Sequence, residues 1–274
     1  MQNNPLKQFF RRPAVYLKLP SGGQSYSVGT IEIPENGELP IFPMTAIDEI
    51  TVRTPDALFN GVALVDLISS CVPAIKDPWK LVSSDLDAIL IAIKAASGQN
   101  SIEIESKCPK CENQESYGLD LLHILATFKY GDYNKLLEIN DLKIKFLPLQ
   151  YKDMNEAAIT QFEIQKQYSA IESIEDVDQK AKAANNALKS ITELTMRVLA
   201  LSIEYVQTPS SRVDNKEFIL DFLSNCDNTT FTAIRDYNAN LKSNSELKPL
   251  DVKCVKCKNE YKQPFVLNPV DFFG

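Results

Sequence analysis

Two short segments of one design, far apart in the chain, limit its possible folds more than any other feature. The first is Ser106-Lys107-Cys108-Pro109-Lys110-Cys111-Glu112-Asn113, and the second is Val252-Lys253-Cys254-Val255-Lys256-Cys257-Lys258-Asn259. In each, two residues separate the cysteines, a lysine stands just before the second cysteine, and an asparagine follows it by two positions. Alternating runs precede both, Ile102-Glu103-Ile104-Glu105 and Leu250-Asp251-Val252, and candidate strands follow, ending near Leu119 and Leu267. The expectation in both places is strand, cysteine turn, strand.

Zn²⁺ favours four soft ligands in a tetrahedron, and two C-x-x-C turns supply four thiolates with no open position, as in a structural rather than a catalytic site. The pattern predicts one structural Zn²⁺ shared by Cys108, Cys111, Cys254 and Cys257. A reduced thiol pair in each turn, two disulfides, or a site that has lost its metal remain as alternatives. A thioredoxin-like redox motif does not fit, because such motifs open a helix within a βαβ unit. If one ion joins both turns, residues 112–253 form a closed excursion, and metal affinity acts as fold stability. The expected class is α+β: a zinc-ribbon-like base formed by two CxxC β-turns, with a largely helical insertion that includes a long helical hairpin. The expected divisions are 1–60, an extended proline-rich β segment; 61–149, a helical pair with the first zinc knuckle and a following strand; 150–245, the helical insertion; and 246–274, the second knuckle and an aromatic tail.

With 274 residues, 44% of them hydrophobic, the chain can form one large domain or two smaller ones. A net charge of −7 disfavours nucleic acid and anionic membrane as partners. No apolar run approaches the roughly 20 residues of a membrane span. Met1-Gln2-Asn3-Asn4 offers no apolar signal region, so folding is expected in a cytosol. The sequence holds no nucleophile elbow, Rossmann glycine motif, H-E-x-x-H or convincing carboxylate pair, and an enzyme is not expected. The single histidine, His123, is read as a helix-surface or core-edge residue. Cys71 and Cys226 are read as small hydrophobes outside the metal set.

Along the chain, Val15–Leu19 reads as a strand, Pro20-Ser21-Gly22-Gly23 as a turn, and Ser25–Val28 as its return. Four prolines in residues 30–60 predict an irregular extended track. The acids Asp48, Glu49 and Asp56 near Arg53 suit either a solvated loop or a partner-binding surface. Helices are expected over 60–72 and from Ser83/Ser84 to Gly98. A strand is expected at Leu142–Leu149. Helical spacing then covers Tyr151 to about Ile171 and about Val177 to Val206, an antiparallel hairpin that is either a core element or an oligomer-forming arm. Two shorter helices follow. The closing Phe272-Phe273 pair should be docked, internally or on a partner. Lys107, Lys110, Lys253, Lys256 and Lys258 surround the cysteine turns. They offset the −2 formal charge of a Cys₄–Zn centre or, in a second reading, mark a zinc-ribbon adaptor that binds nucleic acid.

Several stretches carry a family likeness: Phe10-Arg11-Arg12-Pro13, Leu19-Pro20-Ser21-Gly22-Gly23, Pro34–Pro40, Pro43–Ile50, Arg53–Gly61, Ser70-Cys71-Val72-Pro73, both C-x-x-C turns, Phe222–Asp227 and Phe272-Phe273-Gly274. They resemble the baseplate hub subunit family of T-even-type contractile-tailed bacteriophages over nearly the whole chain. The resemblance implies a non-enzymatic structural or assembly protein of a tail baseplate hub. Its partners would be other hub and baseplate proteins, in a symmetric assembly. It would act in the host cytoplasm during assembly and in the virion tail baseplate. Arg11, Arg12, Asp48, Glu49, Arg53, Asp56, Phe272 and Phe273 are the expected partner-contact residues.

Overall fold

A computed structural model describes residues 4–171, 176–245, 247–265 and 267–273. Its elements run β1 (Val15–Leu17), β2 (Leu39–Ile41), α1 (Ala46–Val52), α2 (Pro55–Phe59), α3 (Val62–Cys71), α4 (Ser83–Ala96), β3 (Ser101–Lys107), β4 (Gln114–Asp120) and α5 (Leu121–Thr127). Then come β5 (Leu136–Ile139), β6 (Leu142–Phe146), α6 (Tyr151–Ile171), α7 (Val177–Leu201), β7 (Ile203–Gln207), β8 (Arg212–Val213), α8 (Lys216–Asn225), α9 (Asn228–Ser245), β9 (Leu250–Lys253), β10 (Glu260–Gln263) and α10 (Pro269–Phe273). The protein mixes helix and sheet. It divides into two compact units, one from residues 1–130 with 245–274 and one from residues 131–244. The chain of the first unit is therefore interrupted by the whole of the second, and strands β5 and β6 belong to the inserted unit.

The first unit is built on α3 and α4. Both are apolar on nearly every face, which marks a buried helix. From Ala88 through Ile93 every side chain of α4 is fully buried, as are Leu64, Leu67 and Ile68 of α3. Strands β1 and β2 pair antiparallel with Leu17 opposite Leu39, and Leu39 and Ile41 are fully buried. The partner expected for β1, Ser25–Val28, is not a strand. Gly22 and Gly23 take left-handed φ values of 62° and 80°, and the loop turns onto the start of α4. There the Asp85 carboxylate accepts the Ser21 N–H at 2.9 Å and the Tyr26 hydroxyl at 2.7 Å, together with the Ser21 hydroxyl. The proline-rich track also differs from expectation. It contains α1 and α2, because Thr45 and Asp48 close a capping box and Pro55 opens α2 at its first turn. Val82, not Ser83 or Ser84, is the N-cap of α4, so Asp85 sits in the first turn.

In the inserted unit, β5-β6-β7-β8 form an antiparallel sheet in that order. Ile144 and Ile203 are fully buried, and the Phe146 ring lies 5.3 Å from Tyr237 of α9. Helices α6 and α7 pack as a hairpin through Ile164, Ile171, Ala187, Ala183, Ala184 and Leu194. The link at 172–175 lies outside the described residues. Helix α7 ends at Leu201, short of the expected Val206. Ile203-Glu204-Tyr205-Val206 is β-branched and aromatic with period two, so it joins the sheet as β7. Asn215 caps α8 by accepting the Glu217 and Phe218 N–H groups. Among the described residues, no helix is long and apolar enough to cross a membrane.

Candidate metal centre

Each cysteine turn sits at the tip of an antiparallel hairpin, β3–β4 for the first and β9–β10 for the second. The two turns repeat one backbone geometry. The Cys108 N–H donates to the Asn113 carbonyl at 2.9 Å and the Glu112 N–H to the Cys108 carbonyl at 2.9 Å. The Cys254 N–H donates to Asn259 at 3.0 Å and the Lys258 N–H to Cys254 at 2.9 Å. Glu112 and Lys258, the residues just after each second cysteine, both adopt left-handed φ values, 56° and 59°. Side chains other than glycine pay about 1–2 kcal/mol for that conformation. The same strain in both turns marks a shape held by something besides local preference.

The four sulfurs meet. All lie within 4.8 Å of one another, with Cys108 Sγ 3.6 Å from Cys257 and Cys111 Sγ 3.6 Å from Cys254. A disulfide needs about 2.05 Å, so the pairs are not disulfides, and all six cysteines are free thiols. Sulfurs about 2.3 Å from one zinc stand about 3.8 Å apart along a tetrahedral edge. The spacing therefore suits a dication at the centre of the group.

Electrostatics lead to the same place. Burial pushes the Cys108 thiol up, but the Cys111 and Lys110 N–H groups and the Cys257 sulfur outweigh it and bring it down to about 7. The Asn113 N–H lowers Cys111, yet burial and the sulfurs of Cys257, Cys254 and Cys108 push it up to about 12. One thiolate forms readily, while the Cys111 proton is held by hydrogen bonds to the neighbouring sulfurs. A dication bound by all four sulfurs would displace that proton.

Side chains join the hairpins around the sulfurs. The Ser106 hydroxyl meets Tyr261 at 2.7 Å and donates to Gln263 at 2.6 Å. Glu115 accepts the Val255 N–H at 3.1 Å and the Tyr117 hydroxyl at 2.8 Å, and these contacts hold its carboxyl below the usual range. Nothing in the sequence singles out Glu115, because its partner lies far along the chain. Of the five lysines, Lys107 pairs with Glu112 and Lys253 with Glu260.

The expected partner-contact residues fall in several places. Arg11 faces inward. Its guanidinium donates to the Pro43 carbonyl at 2.6 Å, Asp48 at 3.1 Å, and the Ser70 carbonyl and hydroxyl at 2.8 Å each. Asp48 also accepts the Thr45 N–H at 2.7 Å and hydroxyl at 2.8 Å. These two side chains fasten the segment before β1 to α1 and α3. Arg12, Glu49 and Arg53 are exposed, while the side chain of Asp56 lies outside the described residues. Phe272 and Phe273 are buried, against α1 and α2, with the Lys94 ammonium 4.5 Å from the Phe272 ring. The aromatic pair is docked internally, one of the two placements expected for it. Cys71 is fully buried and His123 exposed on α5.

Arg11→Ala is expected to cost about 2 kcal/mol. Losing one partner of a buried pair costs roughly 3–5 kcal/mol, and the 26% exposure of the Arg11 side chain reduces that. The destabilisation should be smaller in acid. Burial raises Asp48, but the bonds from Thr45, Ser70 and Arg11 hold it below its ordinary value. A depressed carboxyl stabilises the fold above its unfolded pKa, about 3.9, and loses that contribution as pH falls through its folded value. Urea unfolding followed by the single tryptophan, Trp79 in the same unit, at neutral and acid pH reads both effects.

Residues 15–274 fit the family described as T4 bacteriophage base plate protein. Comparisons with curated proteins and with solved structures give no match.

Proposed function

The chain belongs to the T4 bacteriophage base plate protein family, and from that premise we propose that it is a non-enzymatic structural or assembly protein of a contractile-tail baseplate hub, clasped by one structural Zn²⁺. The family match carries the baseplate assignment. The convergence of Cys108, Cys111, Cys254 and Cys257 supports the clasp. Four thiolates and no open position leave the ion nothing to catalyse. Its contribution would be to hold two hairpins together, in the manner of a zinc ribbon. Other hub and baseplate proteins are the proposed partners, met in the host cytoplasm during assembly, and Arg12, Glu49 and Arg53 remain candidate contact residues. A nucleic-acid adaptor is less well supported, since Lys107 and Lys253 are already paired with carboxylates.

Two measurements test this reading. Elemental analysis of protein purified under reducing conditions should find about one zinc per chain. Mass spectrometry of tail assembly intermediates beside mature virions should recover the chain with hub proteins in at least one of them. Absence from both would remove the hub role, and protein that is folded without zinc would remove the clasp.

A further inference from the structure

The inserted unit carries an open apolar groove of about 830 Å³ between α6, α7 and α9. Its walls include Ala157 and Ile164 of α6, Leu188, Ile191 and Val198 of α7, and Phe231 of α9. On each helix the lining residues recur at spacings of three and four, for example 157, 161, 164 and 168 on α6 and 231, 235, 238 and 242 on α9. That is the seam one helix presents to another. Leu188 remains 57% exposed, Ile191 44% and Tyr168 51%, so the α7 stripe at Leu188 and Ile191 is not covered by α6. Three helices that surround such a seam leave the place of a fourth. From Ala157 to Tyr168 the α6 wall spans about 17 Å, roughly three turns of an added helix.

Charge selects the occupant. The chain as a whole is strongly acidic, at −7, yet the groove lining contains no carboxylate and two cations, Arg235 and Lys242. Arg235 shares its charge with Asp236 at 2.8 Å. The other side of the same hairpin carries Asp153, Glu156, Glu163 and Glu193 beside one cation, Arg197, so these acids face away from the groove. We propose that this groove receives an amphipathic helix of a partner protein, with leucine-like side chains at 3–4 spacing and acidic residues on its flanks, in the helix-in-groove mode. All lining residues belong to the inserted unit, and the proposal does not depend on the metal clasp.

The test uses the full zinc-loaded chain and two stapled helical peptides of about 18 residues, long enough for the groove and held helical because short helices are marginal in water. They share leucines at heptad positions and differ only in glutamate or lysine flanks. By fluorescence anisotropy the glutamate peptide should bind at least about tenfold more tightly. Ile191→Asp should weaken it by a similar factor without moving the thermal melt, since Ile191 is already partly in solvent. Arg235→Glu with Lys242→Glu should reverse the preference. Equal binding of the two peptides, or binding of neither, overturns the proposal. So does self-association in sedimentation velocity that Ile191→Asp abolishes, because that result gives the groove to a second copy of the chain.

Discussion

With the proposed zinc clasp, Cys254→Ser is expected to release the ion and unravel both cysteine hairpins while the α3–α4 core stays folded. The reason is what each part buries. Residues of β3 and β4 alternate between exposed and half-buried, apart from Ser106, and β9 buries only Val252. Two-stranded hairpins of this kind are marginal in water. Structural zinc contributes about 10–16 kcal/mol in small domains, far more than the few hydrogen bonds that join these hairpins. By contrast, α4 is buried along almost its whole length without help from the metal. Amide hydrogen exchange should therefore accelerate by at least about a thousandfold in residues 101–120 and 250–263, equivalent to roughly 4 kcal/mol. The Trp79 unfolding midpoint should move little. Chelation of the native protein should reproduce the pattern. Exchange that is unchanged after the zinc has been removed would show that packing, not metal, holds the hairpins.

Asp85→Ala is expected to destabilise the first unit by about 4 kcal/mol. Asp85 is fully buried, and the alanine would strand three donors: the Ser21 N–H and hydroxyl and the Tyr26 hydroxyl. Each buried orphan costs about 1–3 kcal/mol. Burial pushes the Asp85 carboxyl up against the opposing pull of Ser21 and Tyr26. A group raised in the fold stabilises it most below its unfolded pKa and loses that contribution as pH rises through its folded value. The neutral amide in Asp85→Asn resembles the protonated acid, so it should cost only about 1 kcal/mol. Urea unfolding read by Trp79 gives both numbers. Equal losses for alanine and asparagine would refute the role assigned to this carboxyl.

Much of this was legible before the fold was seen, where local chemistry and period agree. The duplicated cysteine turns, the strands beside them and the α6–α7 hairpin all follow from spacing within a few residues. Membership of a phage baseplate family was legible in the same way, from the stretches that resemble it. What stayed hidden depends on distant partners. Ser25–Val28 alternates like a strand, but Asp85 draws Ser21 and Tyr26 onto α4 instead. Thr45 and Asp48 do announce a helix start, and the surrounding prolines obscured it. Arg11, Asp48 and Phe272 look like contact residues in sequence because charge and aromaticity are common to interfaces and to internal fastenings. Only the fold shows that each is already engaged. The stripe on α7 was visible as an apolar face, but its division between a covered and an open part was not.

The position of the two cysteine turns in the chain also sets an order in time. Cys108 and Cys111 leave the ribosome first and hold half a site, while residues 112–253 have still to be made. At about 5–20 residues per second that wait is on the order of 10 s. Two thiolates bind a metal far less firmly than four, so the proposed clasp would close only when Cys254 and Cys257 arrive. A product cut short anywhere within the insertion never closes it, and its loose hairpin is left open to proteases. Completion of the proposed clasp would thus certify that everything between its two halves has been translated.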